Sequence, residues 1–343
     1  MTLVGIIANP SSGKDIRRLV ALGSVSDNNE KANTVKRILA GLLAVGVDRI
    51  AYMPDSFGIV ARAVESTRGK LHGEPLDMPM YGVADDSSRA ARAMSDQGVG
   101  CIISLGGDGT NRAIARGSGN IPLLPISTGT NNVFPIQVEG TLAGIAAGLV
   151  ATGAVPADVA TFRAKRLEVR INADRLDHAL VDVALVRETY VGARAVWNPE
   201  AVQALMLAIA EPGSIGLSSI GAHLLPVSRR DPLGVWLTLP ARHHRDGHSL
   251  PGPHPAVLAP IAPGLVVRTP VVDHGRMLPD QPYEPDAIDG VVALDGEREF
   301  TIRKSERIEV TLRLDGPRVI DFDATLAHAA NTGAFVALPA ADR

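Results

Sequence analysis

The feature that most constrains the fold is the stretch from Val99 to Pro135, VGCIISLGGDGTNRAIARGSGNIPLLPISTGTNNVFP. Two short apolar runs rich in β-branched residues, Val99 to Leu105 and Ile121 to Ser127, each empty into a Gly-rich polar loop. Nearly continuous apolar runs bounded by glycine fit strands of a parallel sheet buried on both faces better than they fit helices. Asp-Gly and Gly-Gly alone are ordinary turn signals. Two such loops after two consecutive buried strands point further, to phosphate chemistry at the carboxyl edge of an open α/β sheet.

The first loop is Gly106-Gly107-Asp108-Gly109-Thr110. Its glycines are expected to turn with positive φ and to let N–H groups approach a ligand with no Cβ in the way. Thr110 is expected to cap the helix NRAIARG, so that free amides and the positive end of a helix meet at one spot. A carboxylate at Asp108, inside a nest suited to anions, needs a task of its own: holding Mg²⁺, or accepting the proton of an attacking hydroxyl. The second loop, Ser127-Thr128-Gly129-Thr130-Asn131-Asn132, adds hydroxyls and amides at the same edge.

LGGDGTNRAIA followed by PISTGTNNVFP resembles the superfamily of NAD kinases and diacylglycerol or sphingosine kinases, and most closely the NAD-kinase-like AcoX proteins associated with acetoin catabolism. The resemblance covers nearly the whole chain and extends to Asn9-Pro10-Ser11-Ser12-Gly13-Lys14 and Asp295-Gly296-Glu297. It implies that Asn9, Ser12 and Lys14 face nucleotide phosphates. It also implies that the amides of Gly106, Gly107, Gly109 and Thr110 hold phosphate oxygens, with Thr128, Gly129, Thr130, Asn131 and Asn132 completing the cradle. In NAD kinases an Asn-Glu pair on a strand of the second domain binds the dinucleotide. Here Glu188 is kept and Arg187 stands where the Asn would be. Asp295 and Glu297 match a hairpin that faces the cleft in both kinase types. The implied chemistry is Mg²⁺-dependent transfer from ATP to a hydroxyl, in the NAD kinase version the 2′-OH of NAD⁺, by a homo-oligomer acting on small-molecule nucleotides. A Walker A reading of residues 8–15 fails, because its first glycine falls at Ala8 and Asp15 stands where a Mg²⁺-binding hydroxyl belongs.

At 343 residues the chain is long enough for two domains, each with its own core. A formal charge of −3 leaves no electrostatic footprint for nucleic acid or an anionic membrane. The single cysteine, Cys101, lies in a strand expected to be buried, which suits a small core hydrophobe in a reducing cytosol. MTLVGIIANP has no basic n-region and its apolar run stops at Pro10, so no secretion signal is expected. Thr141 to Val155 is Ala- and Gly-rich and shorter than the ~18 apolar residues of a membrane span, so it reads as a helix packed on the sheet.

The rest of residues 1–155 alternates. Helical patterns at Lys31 to Ala44, Phe57 to Lys70 and Asp86 to Gln97 separate strands expected at Leu3 to Ala8, Arg49 to Met53 and Met80 to Ala84. Such alternation gives an open, parallel, Rossmann-like α/β sheet. Asp55-Ser56 and Asp85-Asp86 read as helix caps and first-turn acids. Over 156–322 the pattern changes to period two, which predicts an antiparallel β-sandwich with one helical insert from Pro199 to Ala210. The Ala-rich tail 323–343 is expected to return to the first domain. His243, His244, His248 and His254 lie in a Pro/Gly-rich loop without the spacing of a zinc site, and read as a solvated surface.

Alternatives stay open at this point. A lipid or small polyol kinase keeps the donor loops and changes the acceptor, and Arg187 favours it. A non-catalytic nucleotide- or NAD-binding regulator of acetoin metabolism keeps the glycines without turnover. A Rossmann dehydrogenase is disfavoured, because no G-x-G-x-x-G opens a helix after the first strand.

Overall fold

A computed structural model describes residues 2–13, 22, 27–129, 131–172, 174–187, 196, 198–240 and 254–336. The chain opens with β1 (Leu3–Ala8), α1 (Asn28–Ala44), β2 (Arg49–Tyr52), α2 (Ile59–Glu65), β3 (His72–Pro75), α3 (Ala84–Asp96), β4 (Cys101–Gly106), α4 (Asp108–Gly117), β5 (Leu123–Ser127), α5 (Gly140–Ala151) and α6 (Ala157–Ala160). It continues through β6 (Thr161–Arg163), β7 (Arg166–Ile171), β8 (Arg175–Ala179), β9 (Asp182–Val186), β10 (Val202–Leu207), α7 (Ser218–Ala222), β11 (Gly234–Thr238), β12 (Ala256–Ala262) and β13 (Leu265–Pro270). The last elements are β14 (Asp273–Met277), β15 (Pro282–Tyr283), β16 (Gly290–Leu294), β17 (Glu297–Ile302), β18 (Ile308–Arg313), β19 (Arg318–Ile320) and α8 (Phe322–Asn331).

The first sheet has the order β3-β2-β1-β4-β5-β19-β6, parallel except for β6. Alternate residues of β4 bury on opposite faces. Cys101, Ile103 and Leu105 pack with α1, α2 and α5, whereas Ile102 packs with Ala90, Ala91 and Met94 of α3 and Ile114 of α4. Both faces are covered, which is why the strand reads as a continuous apolar run. The chain builds outward from β1 to β3, then crosses to β4 and β5 on the other side. The reversal falls between β1 and β4, where open α/β sheets bind ligands.

The Ala- and Gly-rich stretch is α5, pressed onto α1. A Cβ added at Gly144 would lie 2.1 Å from the Ile38 carbonyl oxygen, and one at Gly41 2.1 Å from that of Thr141. The two backbones therefore approach at a distance only glycine permits. No helix among the described residues is long and apolar enough to cross a membrane.

Two expected elements are corrected. Met80 to Ala84 is not a strand: the amides of Tyr81, Gly82 and Val83 all donate to the Asp86 carboxylate and so cannot join a ladder. The third strand is His72–Pro75, a polar edge strand that carries no apolar signal. Pro199 to Ala210 is not a helix either. After one 3-10 turn at Pro199–Ala201 it becomes β10, paired with β9 and β11. A strand buried on both faces loses its alternation and imitates a helical run.

The six-stranded sheet β14-β11-β10-β9-β16-β17 faces the four-stranded sheet β15-β18-β7-β8 across a core of Val183, Leu185 and Met206 on one side and Leu167, Val169 and Val310 on the other. This is the antiparallel sandwich. Its core is continuous with the face of the first sheet that carries α3 and α4, and Val133 and Phe134 are buried within the same cluster. β6, β19 and α8 belong to the first sheet and its helices, so the chain crosses into the sandwich after Arg163 and returns at Arg318.

Candidate active site

Three loops meet at the reversal point. The loop after β1 is pinned to β4, with the Asn9 amide donating to the Leu105 carbonyl at 3.0 Å. Asn9 Nδ2 donates to Thr110 Oγ1 at 2.9 Å, and Thr128 Oγ1 to Ser12 Oγ at 2.9 Å. Lys31, 1% exposed, holds the first loop from below, with Nζ donating to the carbonyls of Asn9 at 2.9 Å and Ser12 at 2.7 Å. A buried ammonium bonded to these carbonyls sets the loop's path and brings positive charge beneath it. Lys14 lies outside the described residues.

The first Gly-rich loop departs from expectation in two ways. None of Gly106, Gly107 or Gly109 has positive φ, and Gly107 is extended at φ −98° and ψ −169°. Gly107 and Gly109 instead leave room for the ends of side chains that pack over the loop. A Cβ at Gly107 would lie 2.8 Å from Asn132 Oδ1, and one at Gly109 3.2 Å from Glu297 Oε1. Nor does Thr110 cap the helix. α4 begins at Asp108 with Gly107 as N-cap and no side-chain cap bond, while Thr110 sits inside the first turn, joined to Asn9. Fully buried Asn111 takes over the loop's geometry, donating from Nδ2 to the Gly107 carbonyl at 2.9 Å and accepting from Ser104 Oγ at 2.6 Å. The first-turn amides of α4 lack intrahelical partners, as at any helix start.

Asp108 turns toward the second loop. Oδ1 accepts from the amides of Val133 at 3.1 Å and Phe134 at 2.8 Å, and Oδ2 from Val133 at 3.1 Å. Within that loop, Ser127 Oγ donates to the Gly129 carbonyl at 2.8 Å and accepts from Asn132 Nδ2 at 2.8 Å. Asn131 differs: both polar atoms of its side chain are buried and find no hydrogen-bond partner among the described residues. Thr130 lies outside those residues.

From the sandwich, the β16–β17 hairpin reaches over the first loop. Glu297 is half-buried above Gly109. Asp295, expected to face the cleft with it, turns inward at 5% exposure and φ +51°. Its Oδ1 accepts from the amides of Leu180 at 2.9 Å and Val181 at 2.8 Å, and Arg112 Nε stands 3.5 Å from its Oδ2. Burial pushes the Asp295 carboxyl up to about 6, against the pull of Arg112 and these amides. Arg112 also pairs with Glu299 and Asp177, and Arg116 holds Asp177 with two bonds of 2.5 and 2.7 Å. Burial alone would lower Arg112, but the three carboxylates outweigh it and raise its pKa. His178, beside them, is pushed down to about 4 by burial. Glu188 lies outside the described residues, as do His243, His244 and His248.

The structure therefore brings Asn9, Ser12, Gly106, Gly107, Asp108, Gly109, Thr110, Thr128, Gly129, Asn131, Asn132 and Glu297 to one place. Sequence reasoning missed Lys31, Asn111 and Arg112. Asn111 had a faint signal, a short polar residue inside a helix one turn after the glycines; the other two had none. Among the described residues no group of three or more His, Cys, Asp or Glu forms a ready-made metal site.

The model of the ATP-NAD kinase N-terminal domain matches residues 4–154, and that of the acetoin catabolism protein X C-terminal domain matches residues 165–315. Among curated proteins the chain is similar to acetoin catabolism protein X of Cupriavidus necator, 41% identical over 349 residues, covering 98% of this chain and 95% of that protein. Among solved structures it is similar to yeast NADH kinase complexed with NADH, at 12% identity and a TM-score of 0.50, covering 100% of this chain and 90% of the other. That second likeness is one of fold.

Proposed function

From the premise that the chain belongs to the acetoin catabolism protein X family, we propose that it is a phosphotransferase moving a phosphoryl group from ATP to a hydroxyl, with the 2′-OH of NAD⁺ as acceptor. The observation that supports this most is the cradle itself. The first turn of α4 opens where the sheet reverses, with Glu297 over Gly109 and Asn132 over Gly107, and the Asn131 side chain has both polar atoms buried with no hydrogen-bond partner among the described residues. The orphaned Asn131 atoms are what a polar ligand would satisfy.

Glu297 is the carboxylate placed to receive the proton of the attacking hydroxyl. Asp108, read from the sequence for that task, also orders the second loop by accepting from the amides of Val133 and Phe134. Carboxylates beside phosphate-binding amides suit Mg²⁺, which is held by one or two carboxylates together with phosphate oxygens. Asp108 and Glu297 would share the ion with the triphosphate, and it would neutralise charge on the transferred group. Lys31 and Asn111 keep the loops preorganised, so little reorganisation is needed when the phosphates bind. A second reading, a lipid or small polyol as acceptor, is favoured by Arg187, whose buried Nε has no partner among the described residues and whose pKa burial lowers.

The test is NADP⁺ formation from NAD⁺ and ATP·Mg²⁺ by the purified protein, beside Glu297→Gln. The wild type should form NADP⁺, and the variant should bind both nucleotides in calorimetry while turnover falls on the order of 10²-fold or more. Binding without NADP⁺ would move the acceptor elsewhere, and a wild type that binds neither nucleotide would end the proposal.

A further inference from the structure

The second loop is gripped from two sides, and only one grip comes from its own domain. Asp108 takes the amides of Val133 and Phe134. From the sandwich, Arg229 takes the carbonyls of the same two residues: Nη2 donates to Val133 O at 3.2 Å and Nη1 to Phe134 O at 3.3 Å. Its remaining donors hold Glu211, Nε to Oε1 at 3.2 Å and Nη2 to Oε2 at 3.0 Å. The backbone amide of Arg229 adds a bond to Glu211 Oε1 at 2.9 Å. Lys165, 4% exposed, braces the turn that carries Arg229, with Nζ donating to the carbonyls of Ser228 and Leu233, both at 2.7 Å.

An ion pair between Arg229 and Glu211 would by itself be ordinary. A guanidinium that also bonds the carbonyl of the Val133–Phe134 peptide, whose amide is already bonded to Asp108, fixes that peptide's rotation about the chain, and its second bond holds the next peptide through the Phe134 carbonyl. Those peptides end the loop that carries Asn131 and Asn132. A lysine, with one ammonium, cannot meet Glu211 and both carbonyls in a planar fork.

We propose that Arg229 is a positioning residue of the nucleotide cradle, setting the second loop from the sandwich so that the cradle is complete only when the two domains are apposed. The part concerning nucleotide rests on the phosphotransferase reading; the part concerning the loop does not.

The experiment compares the full chain with Arg229→Ala, Arg229→Lys and Glu211→Gln. It measures hydrogen exchange over residues 128–136 and over β4, ATP·Mg²⁺ affinity by calorimetry, and thermal melting as a check of folding. In Arg229→Ala, exchange over 128–136 should rise about tenfold or more with β4 unchanged, and ATP should bind about tenfold more weakly or worse. Arg229→Lys should keep the fold with smaller changes in the same direction, and serves if the alanine variant does not fold. Unchanged exchange over 128–136 in a folded variant overturns the proposal. So does looser exchange with wild-type ATP affinity, which leaves Arg229 a structural tie. If exchange loosens but the wild type itself binds no ATP, the loop-setting role stands and the phosphotransferase reading falls.

Discussion

The chain uses the dipeptide Asp-Gly twice beside its cradle, and the two copies do opposite things with the same chemistry. Asp108-Gly109 opens a helix; Asp295-Gly296 turns a hairpin between β16 and β17. Each aspartate collects backbone amides, Val133 and Phe134 in the first case and Leu180 and Val181 in the second. The glycines differ. Gly296 has φ +74°, so it serves conformation, whereas Gly109 has no positive φ and serves the approach of Glu297. Asp295 is further buried against Arg112, one turn along α4 from Asp108. One helix therefore ties both dipeptides together: its start organises the second Gly-rich loop, and its next turn anchors the hairpin that brings Glu297. A motif's residue types set which bonds it makes, but burial decides whether those bonds serve stability or a ligand.

The largest expected effect separates the aspartates. Asp295→Ala leaves Arg112 buried with one counter-charge fewer and the core amides of Leu180 and Val181 without their acceptor, and should cost about 3–5 kcal/mol in chemical denaturation. Asp108→Asn places an NH₂ or a weaker acceptor against the loop amides, and should cost about 1–3 kcal/mol while nucleotide affinity falls more steeply than stability. If Asp108→Asn proves the more destabilising of the two, the comparison is broken.

The glycines give a finer contrast. Gly296→Ala should lose about 1–2 kcal/mol from left-handed strain. Gly109→Ala, which meets only the end of the Glu297 side chain, should melt within about 0.5 kcal/mol of the wild type yet lose nucleotide-dependent activity. Denaturation curves and the NADP⁺ assay read the two effects separately.

The smallest effect is a pH slope. His178 is pushed from 6.5 down to about 4, so between these values the unfolded state binds more protons and stability contributed through His178 rises with pH. Asp295 is pushed from 3.8 up to about 6, so its contribution falls with rising pH across that window. The difference in stability between wild type and His178→Gln, measured by denaturation from pH 4 to 6.5, should therefore increase with pH. A flat difference would place His178 in water, and a falling one would make the Asp177 carboxylate, rather than burial, the stronger influence on it.

Much of the fold around the two Gly-rich loops was legible because its parts are local. A buried strand followed by glycines, repeated after about twenty residues, needs no distant partner to be recognised, and the sheet follows from the alternation of strands and helices. The misreadings came where burial erased or mimicked a local signal. β10 lost its alternation because both its faces are covered, and β3 carries no apolar pattern because it is an edge. The thirty-fourfold use of glycine says nothing about which of them must be glycine for space. Only the neighbours answer that, as the carbonyl oxygens of Thr141 and Ile38 do at Gly41 and Gly144.

By itself, then, the sequence determined the doubly covered parallel sheet, the place of its two Gly-rich loops and the period-two sandwich, since hydrophobic period and turn chemistry act over a few residues. Tertiary structure alone decided that Asp108 orders the loop while Glu297 stands over it, that Asp295 is buried with Arg112, and that Lys31 and Arg229 brace the cradle. These roles rest on bonds such as Asn9 to Thr110 and Arg112 to Glu299, 101 and 187 residues apart. Whether a carboxylate or an amide is free for a ligand depends on which distant groups the packed chain brings within about 3 Å of it.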